Sequence, residues 1–261
     1  DGLLGDLGSL LAAKVTKKSI SRRLELLGLE DRITPAVISV NGSNQVVIQL
    51  TLGEDISDLN TSVNGAQITI NTVGNGTNSG SGTGLTVNAN SVVVNTGTGG
   101  LTGFAGISVL GVTAQNNDVA IGATGIDLSA APGGANQSVS IDLSQGGTDT
   151  LTVSGVIKTK GTGSVALNSP SVSIAAAGDI TTVSSGTVGI TGTTITTAGD
   201  VTTASGTITF TGATSLSGNV AINSTSGNLS MGTVTGSSSN LTISEGTGTV
   251  TVGAANLGTG N

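Results

Sequence analysis

Four segments, Ser185-Gly-Thr-Val-Gly-Ile190, Ser205-Gly-Thr-Ile-Thr-Phe210, Ser226-Gly-Asn-Leu-Ser-Met231 and Thr247-Gly-Thr-Val-Thr-Val252, begin 20, 21 and 21 residues apart. A second register runs through Asp179-Ile-Thr-Thr182, Asp200-Val-Thr-Thr203, Asn219-Val-Ala-Ile222 and Asn240-Leu-Thr-Ile243, and a third through Ile195, Leu216, Val234 and Leu257. Self-similarity at a fixed period marks a repeat architecture, in which each unit buries its apolar face only against its neighbours. Within each segment the side chains alternate, so Val188/Ile190, Ile208/Phe210, Leu229/Met231 and Val250/Val252 fall on one face and Thr, Asn, Ser or Gly on the other. Three strands of about four residues bury nothing alone. Stacked turn on turn they bring like residues about 4.8 Å apart and let the apolar faces meet. The expected fold is therefore all-β, a parallel β-helix (solenoid) of about 21 residues and three short strands per coil, with Ile190, Phe210, Met231 and Val252 in one inward column. Backbone groups of one turn then pair with the turns above and below, and neither helices nor hairpins are needed. A β-sandwich, the alternative, asks for longer strands joined by hairpin turns.

Composition agrees with a narrow core. The chain of 261 residues holds 43 Gly and only two aromatics, Phe104 and Phe210, so small aliphatic side chains must fill the interior. There is no Cys and no His, which removes disulfides, thiol nucleophiles, imidazole bases and the commonest zinc ligands. The formal charge of −7 is unevenly spread: residues 1–32 carry six Lys/Arg and five Asp/Glu, whereas 33–261 carry two and ten. Beyond Arg32 the cations are Lys158 and Lys160 alone, too few for a nucleic-acid footprint. No run of 18 apolar residues occurs, so no transmembrane helix is expected.

Along the chain, Leu3, Leu4, Leu7, Leu10, Leu11 and Val15 follow helical spacing, with Lys14, Lys17, Lys18, Arg22 and Arg23 after them. A secretory signal places its positive charge before the apolar run, so no such signal is assigned. Arg22, Arg23, Leu24 and Glu25, then Leu29, Glu30, Asp31 and Arg32, then Thr34, Pro35 and Ala36 resemble the LEDR/LEPR-type motif near the start of planctomycete-type exported surface proteins. Gly28 is one residue more than the tightest form of that motif. The resemblance implies export and an extracellular or cell-surface location, with no activity. The other reading is a short helix, Arg22–Arg32, of mixed charge that stops at Pro35. Three segments follow: 1–35, helical or disordered; 36–154, an irregular β-solenoid with an N-terminal cap; and 155–261, the regular repeats. Asp1 is no initiator and Asn261 falls inside a repeat, so the expectation is a piece of a longer reading frame.

Several stretches are candidates for chemistry. Val37-Ile-Ser-Val40 and Gln45–Leu52 flank Asn41-Gly42, a hairpin-turn pair that would cap the array's open edge. Glu54, Asp55 and Asp58 form an acidic group, a calcium candidate or a solvated turn. Gly74-Asn-Gly-Thr-Asn-Ser-Gly80 has the glycines of a dinucleotide loop but no helical pattern behind it. Gly146-Gly-Thr-Asp149 matches one fragment of a calcium-binding nonapeptide, once only. Asp179 and Asp200, with Asn219 and Asn240 continuing the row, either pinch a cation or bond their own backbone in turns. No catalytic, cofactor-binding or metal-ligating set is assigned, and no cofactor.

The section 155–261 resembles in texture the passenger β-helices of autotransporters, filamentous-haemagglutinin-type adhesins and other β-strand repeat-containing proteins. That resemblance implies a non-catalytic stalk or adhesin-like scaffold facing surface polysaccharide or other envelope components, with end-to-end or lateral self-association. Two alternatives stand beside it. One is a polysaccharide-acting β-helix, a lyase or hydrolase built around stacked carboxylates. The other is an ice-binding surface on the outer row Thr187-x-Gly189, Thr207-x-Thr209, Asn228-x-Ser230 and Thr249-x-Thr251.

Overall fold

Pairing between strands settles into three ladders that the chain visits in turn. The computed structural model describes residues 35–74, 78–113 and 115–258, so the leucine-rich run and most of the LEDR/LEPR-type motif lie outside the described residues. Among the described residues the fold is all-β with no helix; nineteen strands form one mixed sheet and six form a second, wholly parallel one.

The first ladder stacks, in parallel, Val46–Gln49, Gly106–Leu110, Ser138–Asp142, Val165–Asn168, the first half of Val188–Thr197, the first half of Ile208–Leu216, Leu229–Met231 and Val250–Val252. The second carries Ile56–Asn64, Val119–Ile121, Thr150–Val153 and Ser171–Ile174, continues through the second halves of the two long strands, and ends on Val234–Gly236 and Ala255–Asn256. The third is the six-stranded sheet, Ile126–Asp127, Ile157–Lys158, Ile180–Thr181, Val201–Thr203, Val220–Ser224 and Leu241–Glu245.

In-register stacking makes continuous apolar columns because each inward position faces its counterpart one turn away. Leu167, Ile190, Phe210, Met231 and Val252 are successive partners; the first four are buried and Val252 is half-buried. Ala166, Gly189, Thr209, Ser230 and Thr251 are partners on the opposite face. The offset between successive turns is 21 residues late in the chain, 23 between Ser164 and Thr187, 26 between Ser138 and Ser164 and 32 between Asp118 and Thr150. The extra length is taken up in loops, and the strand cores stay in register.

Three expectations change. The row drawn through Ile195, Leu216, Val234 and Leu257 is instead Ile195, Thr214, Val234 and Ala255, and Leu216 stacks on Thr197. Matching by apolar type selected Leu216. A bulge between Thr191 and Thr194 shortens the following turn, and the shift places a threonine in the apolar row. Secondly, Val201 pairs with Ile222, so Asn219 does not continue the row of Asp179 and Asp200. Four residues, Ser217–Val220, separate Leu216 from Ala221 where Ala198 and Gly199 suffice one turn earlier.

Thirdly, the region near the N-terminal end is antiparallel. Ile56–Asn64, Gln67–Gly74, Ser91–Asn95 and Leu85–Asn88 pair successively in antiparallel sense, in place of irregular parallel coils. Gly65-Ala66, with Gly65 at a φ of 58°, is the two-residue hairpin turn between the paired Asn64 and Gln67 that starts this patch. Val37–Val40 and Val46–Gln49 form the hairpin expected at Asn41, but its left-handed residue is Asn44 and not Gly42. The Asn41 side chain accepts from the N–H groups of Ser43 and Gln45, an Asx-type closure.

Candidate functional site

Side-chain oxygens tie one turn to the next. Asp179 Oδ1 accepts from the N–H of Asp200 at 2.9 Å, Asp200 Oδ1 from Ala221 at 2.7 Å, Asn219 Oδ1 from Asn240 at 3.0 Å and Asn228 Oδ1 from Thr249 at 2.9 Å. The same device recurs upstream. Asp55 Oδ1 accepts from Asp118, Asp118 Oδ1 from Thr150, Asn136 Oδ1 from Thr162, and the hydroxyls of Ser138 and Ser164 from Ser164 and Thr187. Neither expectation for Asp179 and Asp200 describes this, since each bonds the backbone of the following turn and not its own. Removing such an acceptor leaves a strand-entering N–H without it. Asp200→Ala is expected to cost about 1 kcal/mol, and Asp200→Asn to cost less because its Oδ1 still accepts; urea-denaturation midpoints of the three chains measure both.

At the corner between the third and first ladders, a buried hydroxyl column closes each turn. Thr159, Thr182 and Thr203 donate to the carbonyls of Gly163, Gly186 and Gly206 at 2.8, 2.6 and 2.8 Å, and Ser224 accepts from the N–H of Gly227. Glu245 takes the next place and accepts from Gly248. These glycines occupy the second position of the repeat segments. A Cβ on Gly186, Gly206, Gly227 or Gly248 would overlap the carbonyl oxygen of the preceding glycine in the column, so the turns touch backbone to backbone there. The Gly-Thr spacing was visible in the sequence; its steric reason was not.

The acidic candidates separate into two rows. Asp55 and Asp118 lie on the outer side with Thr150, lining a shallow groove with Ser57, Ala120 and Thr152. Glu54, Asn117 and Asp149 are buried. Glu54 accepts from the N–H of Ala36 at 2.9 Å and from the N–H and hydroxyl of Thr51, thereby fastening the first hairpin to the body. Burial pushes its carboxyl above the usual range, opposed by those hydrogen bonds. Asn117, which the sequence reading passed over, donates to the carbonyls of Thr51 and Glu54 and accepts from Val112. Asp149 accepts from the N–H of Asn117 at 2.7 Å, and burial pushes its carboxyl up as well. Asp58 accepts from the Asn60 amide, so it stands apart from Glu54.

Of the glycine-rich stretch 74–80, residues 75–77 lie outside the described residues, while Ser79 and Gly80 pair with Val37 and Ile38 as a short strand. Lys158 meets Asp127 at 3.7 Å on the surface, and Lys160 donates to the carbonyl of Ala131. Among the described residues no group of three or more acidic side chains is arranged to hold a metal, and no helix is long and apolar enough to cross a membrane. No family model matches the chain, and neither a curated protein nor a solved structure matches it. The class is therefore set by the molecule alone: an all-β protein of one mixed and one parallel sheet among the described residues.

Proposed function

We propose that the chain is a parallel β-solenoid from an exported or cell-surface repeat protein, working as a non-catalytic stalk or adhesin-like scaffold. The observation that carries this reading is the three parallel ladders, in which successive turns supply the same three strands and the acceptors for the next turn's N–H groups. A lattice of that kind resists bending and lengthens by adding turns, which suits a support. Its outward row runs through Ala166, Gly189, Thr209, Ser230 and Thr251, and the hydroxyls of the last three offer small polar contacts to envelope polysaccharide. The lyase or hydrolase alternative draws little support from Asp179 and Asp200, whose Oδ1 atoms are committed to backbone N–H groups. Regular hydroxyl spacing, which ice binding asks for, is broken in the same outward row by Ala166 and Gly189.

The test is surface shaving. An epitope-tagged chain expressed in its source cell is expected to be cleaved by protease added to intact cells, and the purified chain to bind cell-envelope polysaccharide without releasing new reducing ends. Protection of the tag in intact cells would overturn the surface assignment, and polysaccharide turnover would favour the enzyme.

A further inference from the structure

Asp149 is fully buried, yet only one of its carboxyl oxygens has a partner: Oδ1 accepts from the N–H of Asn117, while Oδ2, itself buried, has none. An ionised carboxylate in that position lacks compensation. The turn before Val119 presents Asp118, and the turn before Ile56 presents Glu54 and Asp55, all of the same sign. The turn before Ser171 presents only Ser169 and Pro170, with Ser169 and the N–H of Ser171 both bonding the Asp149 carbonyl. Its own approach, Gly146-Gly-Thr148, is uncharged, and the two cations of residues 33–261 are engaged elsewhere, with Asp127 and the Ala131 carbonyl. Leaving a charge buried and unpaired costs several kcal/mol, whereas a neutral acid keeps the Oδ1 bond and sheds that penalty.

We propose that the Glu54–Asn117–Asp149 knot is an acid-tightened clasp, in which Asp149 keeps its proton in the folded chain and surrenders it when the three segments part. The clasp joins residues 51–54, 112–117 and 149 through Asn117, and Glu54 extends it to Ala36, so it holds the first hairpin against the following turns. Mild acid then stiffens this end of the array. The sign follows from linkage: a carboxyl held above its ordinary value when folded adds stability that is complete below the unfolded value and is lost as pH rises through the folded one.

Thermal unfolding of the full chain, followed by circular dichroism, tests this. The wild-type midpoint is expected to rise by about 5–10 °C between about pH 8 and about pH 5. Asp149→Asn is expected to raise the midpoint at about pH 8 and to flatten that slope. A variant with the wild-type slope, or a lower midpoint at the alkaline end, overturns the proposal. A second measurement stands independent of the variant's folding: in ¹³C-aspartate-labelled wild type at about pH 6, the Asp149 carboxyl carbon is expected at the position of a neutral acid while exposed aspartates are ionised. An ionised Asp149 at that pH overturns the proposal outright.

Discussion

Gly206→Ala is expected to lower the stability of the array by about 3 kcal/mol or more, whereas the same chemical change at Gly189 should be neutral or slightly stabilising. The two glycines lie seventeen residues apart within adjacent turns. At Gly206 an added Cβ falls on the carbonyl oxygen of Gly186, a backbone atom that moves only if the two turns separate. Separation also stretches the cross-turn bonds beside the contact, from the Ser205 N–H to the Ser184 carbonyl and from the Val188 N–H to the Thr207 carbonyl, each worth about 1 kcal/mol. At Gly189 nothing lies within 4 Å of the added methyl, and its φ is not in the left-handed region. Urea-denaturation midpoints of both variants against wild type decide the matter. Equal effects at the two sites would mean that the turns do not meet backbone to backbone along the column through Gly163, Gly186, Gly206, Gly227 and Gly248.

Phe210→Ala is expected to cost about 3–5 kcal/mol, the range for emptying an aromatic site in a packed interior. Phe210 is buried and stacks between Ile190 and Met231 in the first ladder. A narrow interior collapses poorly around the missing ring, because the strands on either side are fixed by backbone hydrogen bonds to neighbouring turns. Phe210→Leu should cost clearly less, since most of the volume is restored. Calorimetric midpoints of the two variants measure the difference, and a Phe210→Ala chain as stable as wild type would mean that the ring lies outside the load of the column.

Much of the architecture was legible before any coordinates, for a physical reason. When strands stack in register, selection for apolar side chains acts at the same place in every turn, so Val188, Ile208, Leu229 and Val250 stand out in the sequence and are partners in the structure. Register errors arose where a turn changed length. Thr214 takes the place expected for Leu216, because alignment by hydrophobicity assumes that loops do not slide. The antiparallel patch carried its own sign in the turn glycine Gly65, which the prevailing parallel pattern masked.

The candidate residues were harder to read. Asp179 and Asp200 were visible as polar and periodic, but their partner is a backbone N–H one turn away, and sequence does not mark backbone groups. Asp149 sat in a Gly-Gly-Thr context that reads as one fragment of a calcium-binding nonapeptide, whereas in the fold it is buried with its carboxyl on the N–H of Asn117.

The laces between turns also have a sense of travel. From Asp55 to Asn228, every Asx side chain that accepts across turns takes its hydrogen from the turn that follows, with Asp149 running the other way. A finished turn therefore offers waiting side-chain acceptors to residues that arrive later, while N–H groups of its own, such as those of Ile180 and Ile208, take their acceptors from carbonyls of the next turn. Each added turn thus both completes the backbone bonding of the one before it and sets out the side-chain acceptors for the one after.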